Sequence, residues 1–314
     1  MPNRILRYLI GALILSCASL SSFAAGPKIG VLLKGRANFW QVIDQTATAA
    51  GTKAGAEVIV KAPMSESDVA VQIQMLNALA AAGAQAIIIA PTNKDALAEP
   101  VAALAAKGIK IIVIDSPLAG TAASTFIGTD HHAAGEAAGK LVASLIGDSD
   151  EITVIRHAQN NGATMARESG ALEQIKAAHP KAVVHADIYA STENGVEAER
   201  AQLALTRYPQ SKAIIASGTP GTMAMCELLA KGGGNGVKFV GFGVNLNPTV
   251  ASALEAGTMH GWVAQLPVEI GHKSIEAALA LINGQTVPPV IHTDFVVVTK
   301  ANLHDPKVQE LLKL

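Results

Sequence analysis

The 314 residues suffice for two domains of ordinary size. Half are apolar and 16% charged, which provides for a large core and argues against disorder. A formal net charge of -1 speaks against the basic face that a nucleic-acid partner requires.

Arg4 and Arg7, the apolar run from Leu9 to Leu15 and the small-x-small triplet Ser22-Phe23-Ala24 make up the parts of an export signal. Cleavage is expected after Ala24, with export from the cytoplasm. Ser16, Ser19, Ser21 and Ser22 break the apolar run short of the ~20 residues a spanning helix needs. Leu15-Ser16-Cys17 resembles a lipidation box only loosely. Past the cut Cys226 stands alone, so no internal disulfide is available and stability rests on packing.

Lys28 to Leu33 reads as a buried strand, followed by a helix from Phe39 to Ala54 that stops at Gly55. Glu57 to Lys61 is a strand, and Val69, Ile73, Leu76 and Ala80 recur at helical spacing. Ala86–Ala90, Ile109–Ile114 and Ser124–Ile127 are strands, with a helix over Lys94–Lys107 ending at Gly108. The pattern restarts with strands at Ile152–Arg156, Ala182–Ile188, Ala213–Ala216, Val237–Phe242 and Gly261–Ala264. Helices over Thr164–Ala178, Glu193–Arg207, Met223–Lys231 and Pro248–Glu255 lie between them. A tail helix over Val268–Asn283 and a strand over Phe295–Val298 complete the chain. Such alternation specifies an α/β fold: two doubly wound, Rossmann-like domains with parallel sheets and a ligand cleft between them.

Several motifs dissolve on inspection. The glycines from Gly232 to Gly236 follow a helix and precede a strand, the reverse of a dinucleotide loop. Nine histidines show no ligand spacing, so no metal and no cofactor is expected. No nucleophile elbow is present, and the chain does not read as an enzyme. Two polar positions do speak. Asp115 directly follows the strand Ile111–Ile114, where a carboxylate accepts hydrogen bonds from ligand hydroxyls, or else caps a turn. Arg167, near the start of a helix that follows a strand, can hold two ligand oxygens if it faces the cleft, and otherwise lies on the surface.

Pro91-Thr92-Asn93, Asp115, Ala166-Arg167-Glu168, Val240-Gly241-Phe242 and the run Ala264 to Gly271 fall in the order and spacing of a known family. The chain resembles the periplasmic sugar-binding proteins of the ribose- and galactose-binding type, the exported relatives of the lactose-repressor core. That resemblance implies two domains joined by three crossings near Thr129-Asp130, Gln265-Leu266 and His292-Asp294. Residues 25–129 with 266–292 would form one domain, and 130–265 with 293–314 the other. It also implies a membrane ABC permease as partner; some members signal instead to chemoreceptors or sensor kinases. A regulator with the same core would need a helix-turn-helix where this chain carries its export signal.

Carried over residue by residue, the resemblance matches at Asn38, Asp115, Arg167 and Gln265, and puts Trp40 at an aromatic position able to stack on a sugar. It departs at Gln41, where ribose binders carry a second aromatic, at Ala90 for an asparagine and at Ser116 for an arginine. In the second half Gly243 replaces an aspartate, with Asn245 two residues on, and Gly218-Thr219 replaces an asparagine. Lys34 stands at a normally small polar position. A carboxylate lost and a cation gained favour a more electron-rich ligand than a neutral pyranose, such as a modified sugar, a polyol or a sugar acid.

Intact-mass measurement of the exported protein should show a start at Ala25; a species beginning at a lipidated Cys17 would overturn the cleavage site.

Overall fold

The structure is a computed structural model that describes residues 26–190, 195–234, 236–244 and 247–311. The strands are β1 (Lys28–Leu32), β2 (Glu57–Lys61), β3 (Ala86–Ile89), β4 (Lys110–Ile114), β5 (Thr125–Thr129), β6 (Glu151–Arg156), β7 (Val183–Tyr189), β8 (Ser211–Ala216), β9 (Lys238–Gly243), β10 (Gly261–Gln265), β11 (Val290–Thr293) and β12 (Phe295–Val298). The helices are α1 (Asn38–Lys53), α2 (Val69–Ala81), α3 (Ala98–Ala105), α4 (His131–Ala143), α5 (Gly162–Ala178), α6 (Glu197–Arg207), α7 (Thr219–Ala230), α8 (Pro248–Ala256), α9 (Pro267–Ile282) and α10 (Pro306–Leu311).

Two six-stranded sheets result, in the orders β2-β1-β3-β4-β5-β11 and β7-β6-β8-β9-β10-β12. All pairings are parallel except that of β12 with β10. The strands read as unbroken apolar runs because both faces of each sheet are covered. In the first domain Ile29, Val31 and Ile88 pack with Ile43 of α1 and Ile275 of α9. Their neighbours Leu32, Ile87 and Ile89 point to the opposite face, against Leu76 and Leu79 of α2 and Val101 of α3. The second sheet is divided in the same way. Phe239 and Trp262 face α6, α7 and α8, while Val240 and Val263 face α4 and α5. The chain changes sheet three times: between Thr129 and α4, between Gln265 and α9, and between Thr293 and Phe295.

The sequence reading does not include α4, whose buried face is His131, Ala134, Gly135, Ala138, Gly139 and Val142, mostly alanine and glycine rather than large apolar residues. Those glycines set how closely α4 lies against α5. A Cβ on Gly135 would stand 2.2 Å from the Arg167 carbonyl oxygen, and one on Gly139 would stand 2.4 Å from that of Ala171. From the other side, a Cβ on Gly170 would meet the His132 carbonyl oxygen at 2.2 Å. The helix expected from Lys94 starts only at Ala98, because the Asn93 side chain accepts from the backbone N–H groups of Asp95 and Ala96 and holds a turn there. The turn glycines behave as read: Gly55, Gly108, Gly232 and Gly236 all take positive φ.

Gly139→Ala should therefore lower unfolding stability by about 1–3 kcal/mol through backbone overpacking, read as a reduced denaturant midpoint at unchanged slope.

Candidate functional site

The carboxyl ends of both sheets face one another across a cavity of about 350 Å³. Lys34 enters it from beyond β1 and Asp115 from beyond β4, while Asn38 and Trp40 come from the first turn of α1. The second domain contributes His157 beyond β6, Arg167 on α5, Gly218-Thr219 at the start of α7 and Gln265 at the end of β10.

Its floor is a buried charge network. Lys34 Nζ lies 2.7 Å from Asp115 Oδ2 and also donates to the Ser116 hydroxyl, which itself donates to Asp115 Oδ2 at 3.0 Å. Asp115 occupies the left-handed region at φ 61°, and Ser116 N–H reaches back to the Ile114 carbonyl at 2.7 Å, closing a γ-turn around it. A non-glycine residue pays roughly 1–2 kcal/mol for that conformation. His131 Nε2, at 2.7 Å from the Asp115 carbonyl oxygen, steadies the turn. Arg167 donates from Nε and Nη2 to His131 Nδ1 at 3.3 Å and from Nη1 to the Ser217 carbonyl at 3.0 Å. Its guanidinium also lies over the Phe242 ring at 5.1 Å.

With Nδ1 accepting, the His131 proton resides on Nε2, the neutral tautomer. Burial, reinforced by the Arg167 charge, pushes the His131 pKa down to about 3. Burial alone would raise the Asp115 carboxyl, but Lys34, with His131 and Arg167, outweighs it and brings the pKa to about 2. Burial lowers Arg167 to about 10, which leaves it protonated at neutral pH.

A second set of contacts spans the mouth. Trp40 Nε1 donates to Glu66 Oε1 at 2.7 Å, and Glu66 Oε2 lies 3.5 Å from His157 Nε2 in the other domain. Burial works against the Glu66 charge, yet His157, Lys34 and the Trp40 N–H together hold its pKa below the ordinary value. Behind His157, Ser217 Oγ donates to Glu168, whose other oxygen accepts from Arg156 Nε at 2.6 Å. Two buried polar atoms among the cavity-lining residues have no hydrogen-bond partner: Gln265 Oε1 and His157 Nδ1. Buried polar groups are rarely left unpaired, and His157 Nδ1 packs against Gly218, where an added Cβ would lie 2.9 Å from it.

Lys34, Asn38, Trp40, Asp115, Arg167, Gly218, Thr219 and Gln265 are thus brought to one cavity. Four positions of the sequence reading lie outside its lining. Gln41 is exposed and bonds to the Arg36 carbonyl; the Ala90 carbonyl is taken by Gln72; Ser116 is buried under Lys34. Gly243 is covered by the Trp262 indole, 2.5 Å from where a Cβ would sit. Asn245 lies outside the described residues. Lys34 is also no free cation, since Asp115 neutralises it, and its expected pull toward electron-rich ligands is largely spent within the protein. The sequence reading missed Glu66, His157 and Asn161, which stand on loops between elements, and the supporting role of His131. The strand-end position of His157, directly after Arg156, was the available signal.

Away from the cleft, His132, Glu136 and Glu173 bring ligand atoms within 4.8 Å of one another on the surface of α4 and α5. They are occupied with each other and with neighbours: His132 with Glu173 at 3.1 Å, and Glu136 with Gln174 and Lys140.

This architecture, two doubly wound domains with one cavity between their strand ends, is that of a ligand-clamping receptor. Residues 29–286 match the family model described as periplasmic binding protein domain, and the chain belongs to that family. It is 28% identical to the D-allose-binding periplasmic protein of Escherichia coli over 91% of this chain and 94% of that protein. A ribose import binding protein of Salmonella typhimurium is 25% identical, over 96% of this chain and all of its own length. Among solved structures, a carbohydrate transporter solute-binding protein of Agrobacterium radiobacter, in complex with D-arabinose, superposes with a TM-score of 0.86 at 29% identity, covering 92% of this chain and 100% of that one. No helix among the described residues is long and apolar enough to cross a membrane.

The depressed His131 pKa gives a pH test. The unfolded chain takes up a proton near pH 6.5 while the folded one resists until about 3, so stability falls as pH drops through that window. Asp115 adds to the loss only below its unfolded pKa of 3.8, as pH falls toward 2. Denaturation midpoints from pH 7 to 4 should fall more steeply in the native protein than in His131→Gln.

Proposed function

We propose that the protein is the periplasmic solute-binding component of an ABC importer and that it closes about its three crossings on a small polyhydroxylated ligand, a sugar, polyol or sugar derivative. Export with cleavage near Ala24 and delivery to a membrane permease belong to the same reading. The observation that carries it is the cavity itself, walled by both domains and lined by polar side chains from each, Asp115 and Asn38 on one side and Arg167, Thr219 and Gln265 on the other. The relatives support transport over presentation to a chemoreceptor or sensor kinase, since two of those compared are named as an import and a transporter binding protein.

Asp115 and Arg167 are the polar anchors, with Gln265 completing the hydrogen bonding and Trp40 stacking on the ligand. A Kd near 1 μM requires only about 8 kcal/mol net. A thermal-shift screen of sugars, sugar acids and polyols finds the ligand, because ligand at 100 times its Kd adds about 2.7 kcal/mol to stability.

Gln265→Leu separates binding from structure. It removes a buried acceptor that has no partner, so the ligand-free protein should be as stable as the native one or more so. Affinity, by calorimetry, should fall about tenfold for one lost hydrogen bond. Unchanged affinity would remove Gln265 from the site.

A further inference from the structure

Gly162 is the first residue of α5, and it is not among the glycines that take positive φ. Its own backbone therefore does not call for glycine, and alanine is the better helix former. What excludes a side chain is the other domain. A Cβ on Gly162 would stand 2.8 Å from Cγ and 2.9 Å from Cδ of Pro117, and the third nearest atom, at 3.9 Å, is the nitrogen of the same proline. Pro117 lies between β4 and β5 of the first sheet, whereas Gly162 follows β6 of the second, so the contact joins the two halves.

Both surfaces are firm. The proline ring is closed onto its own backbone and has no rotamer to swing aside. Its loop is pinned by the γ-turn at Ser116, by the Lys34 bond to that hydroxyl and by His131 on the Asp115 carbonyl. On the other side Asn161 Oδ1 accepts from the Thr164 N–H at 3.2 Å and fixes the start of α5 from within its own domain. Asp115 stands two residues before Pro117, and Arg167 five residues after Gly162 on the same helix. How closely these surfaces meet therefore bears on how far apart the two polar anchors lie.

We propose that Gly162 and Pro117 form the stop against which the domains close, and that the missing side chain at 162 sets the separation of Asp115 and Arg167 at which a ligand is held. Gly162 is a positioning residue: its neighbours Asn161 and Ala163 line the cavity, and it does not. The proposal rests on the domain closure put forward above and gives that motion an end point. A side chain at 162 leaves each half intact. It burdens only the closed form, where a methyl group must enter space that the proline ring occupies.

The test needs no ligand. Glu66 and His157 meet across the mouth at 3.5 Å, so Glu66→Cys with His157→Cys, treated with a short bis-methanethiosulfonate, traps the closed form whenever it is visited. Cys226 is 1% exposed and is spared by the reagent. In this background Gly162→Ala should slow trapping about tenfold, within the range that overpacking produces. Gly162→Val, with its stiff branched side chain, should slow it further. Adding Pro117→Ala, which removes the two ring carbons that the side chain meets, should restore the rate. The denaturant midpoint of Gly162→Ala in the otherwise native protein should not fall. Trapping at the native rate in both Gly162 variants overturns the stop, as does slowing that Pro117→Ala leaves in place, or a lowered midpoint. Each of those results leaves domain closure standing. No trapping in any background overturns closure itself, and the stop with it.

Discussion

The ion pair between Lys34 and Asp115 is the contact on which the site is assembled. Each group alone, buried as these are, would be costly, and removal of one partner from such a pair typically costs 3–5 kcal/mol. The pair compensates by drawing in everything around it. Ser116 fills a Lys34 valence, and the γ-turn holds the Asp115 carboxylate at the strand end with its carbonyl turned to His131. His131 hands the constraint to Arg167, and Arg167 rides on a helix whose spacing from α4 is fixed by glycines in backbone contact. The electrostatics of the first domain are thereby tied to the packing of the second.

This linkage passes through the crossings. His131 is the first residue of α4, directly after the chain has left β5, and Gln265 is the last residue of β10 before the chain returns. A residue that supports the cleft, His131, and one that lines it, Gln265, thus stand one or two peptide bonds from the points where the chain passes between the sheets. If the domains close as proposed, ligand contact and domain angle are not separate variables. Affinity measured for the whole protein includes the population of the conformation in which both halves can touch the ligand. Glu66 and His157, which meet across the mouth at 3.5 Å, add a direct contact between domains to that balance.

How much of this was legible in the sequence follows from the range of each interaction. Strands covered on both faces produce continuous apolar runs, so both sheets could be read, and the polar terminator Asp115 pointed to the cleft by position, while Gln265 was placed there only by the family resemblance. Arg167 could be placed on its helix, but only the family resemblance aimed it inward. The pairing of Lys34 with Asp115 spans 81 residues and leaves no local trace. Read alone, Lys34 was a spare cation; in place, it is half of a neutral unit. The α4 helix escaped because its packing face is mostly alanine and glycine, and Glu66 and His157 because loop residues obey no period. Gln41 and Ala90, where the chain departs from the family pattern, carry the converse lesson: the side chain of the one and the carbonyl of the other are turned to a local partner.

Gly243 and Trp262 also constrain the order in which this binding site can change. An acidic residue cannot enter at 243 while the indole fills the space, so that substitution is closed as a first step. The reverse order begins by shrinking Trp262, and emptying a site that large in a packed core typically costs 3–5 kcal/mol, a substantial share of a domain's whole stability. The two positions therefore behave as one locus with a deep valley between its states, and this strand end keeps its present character until both change together.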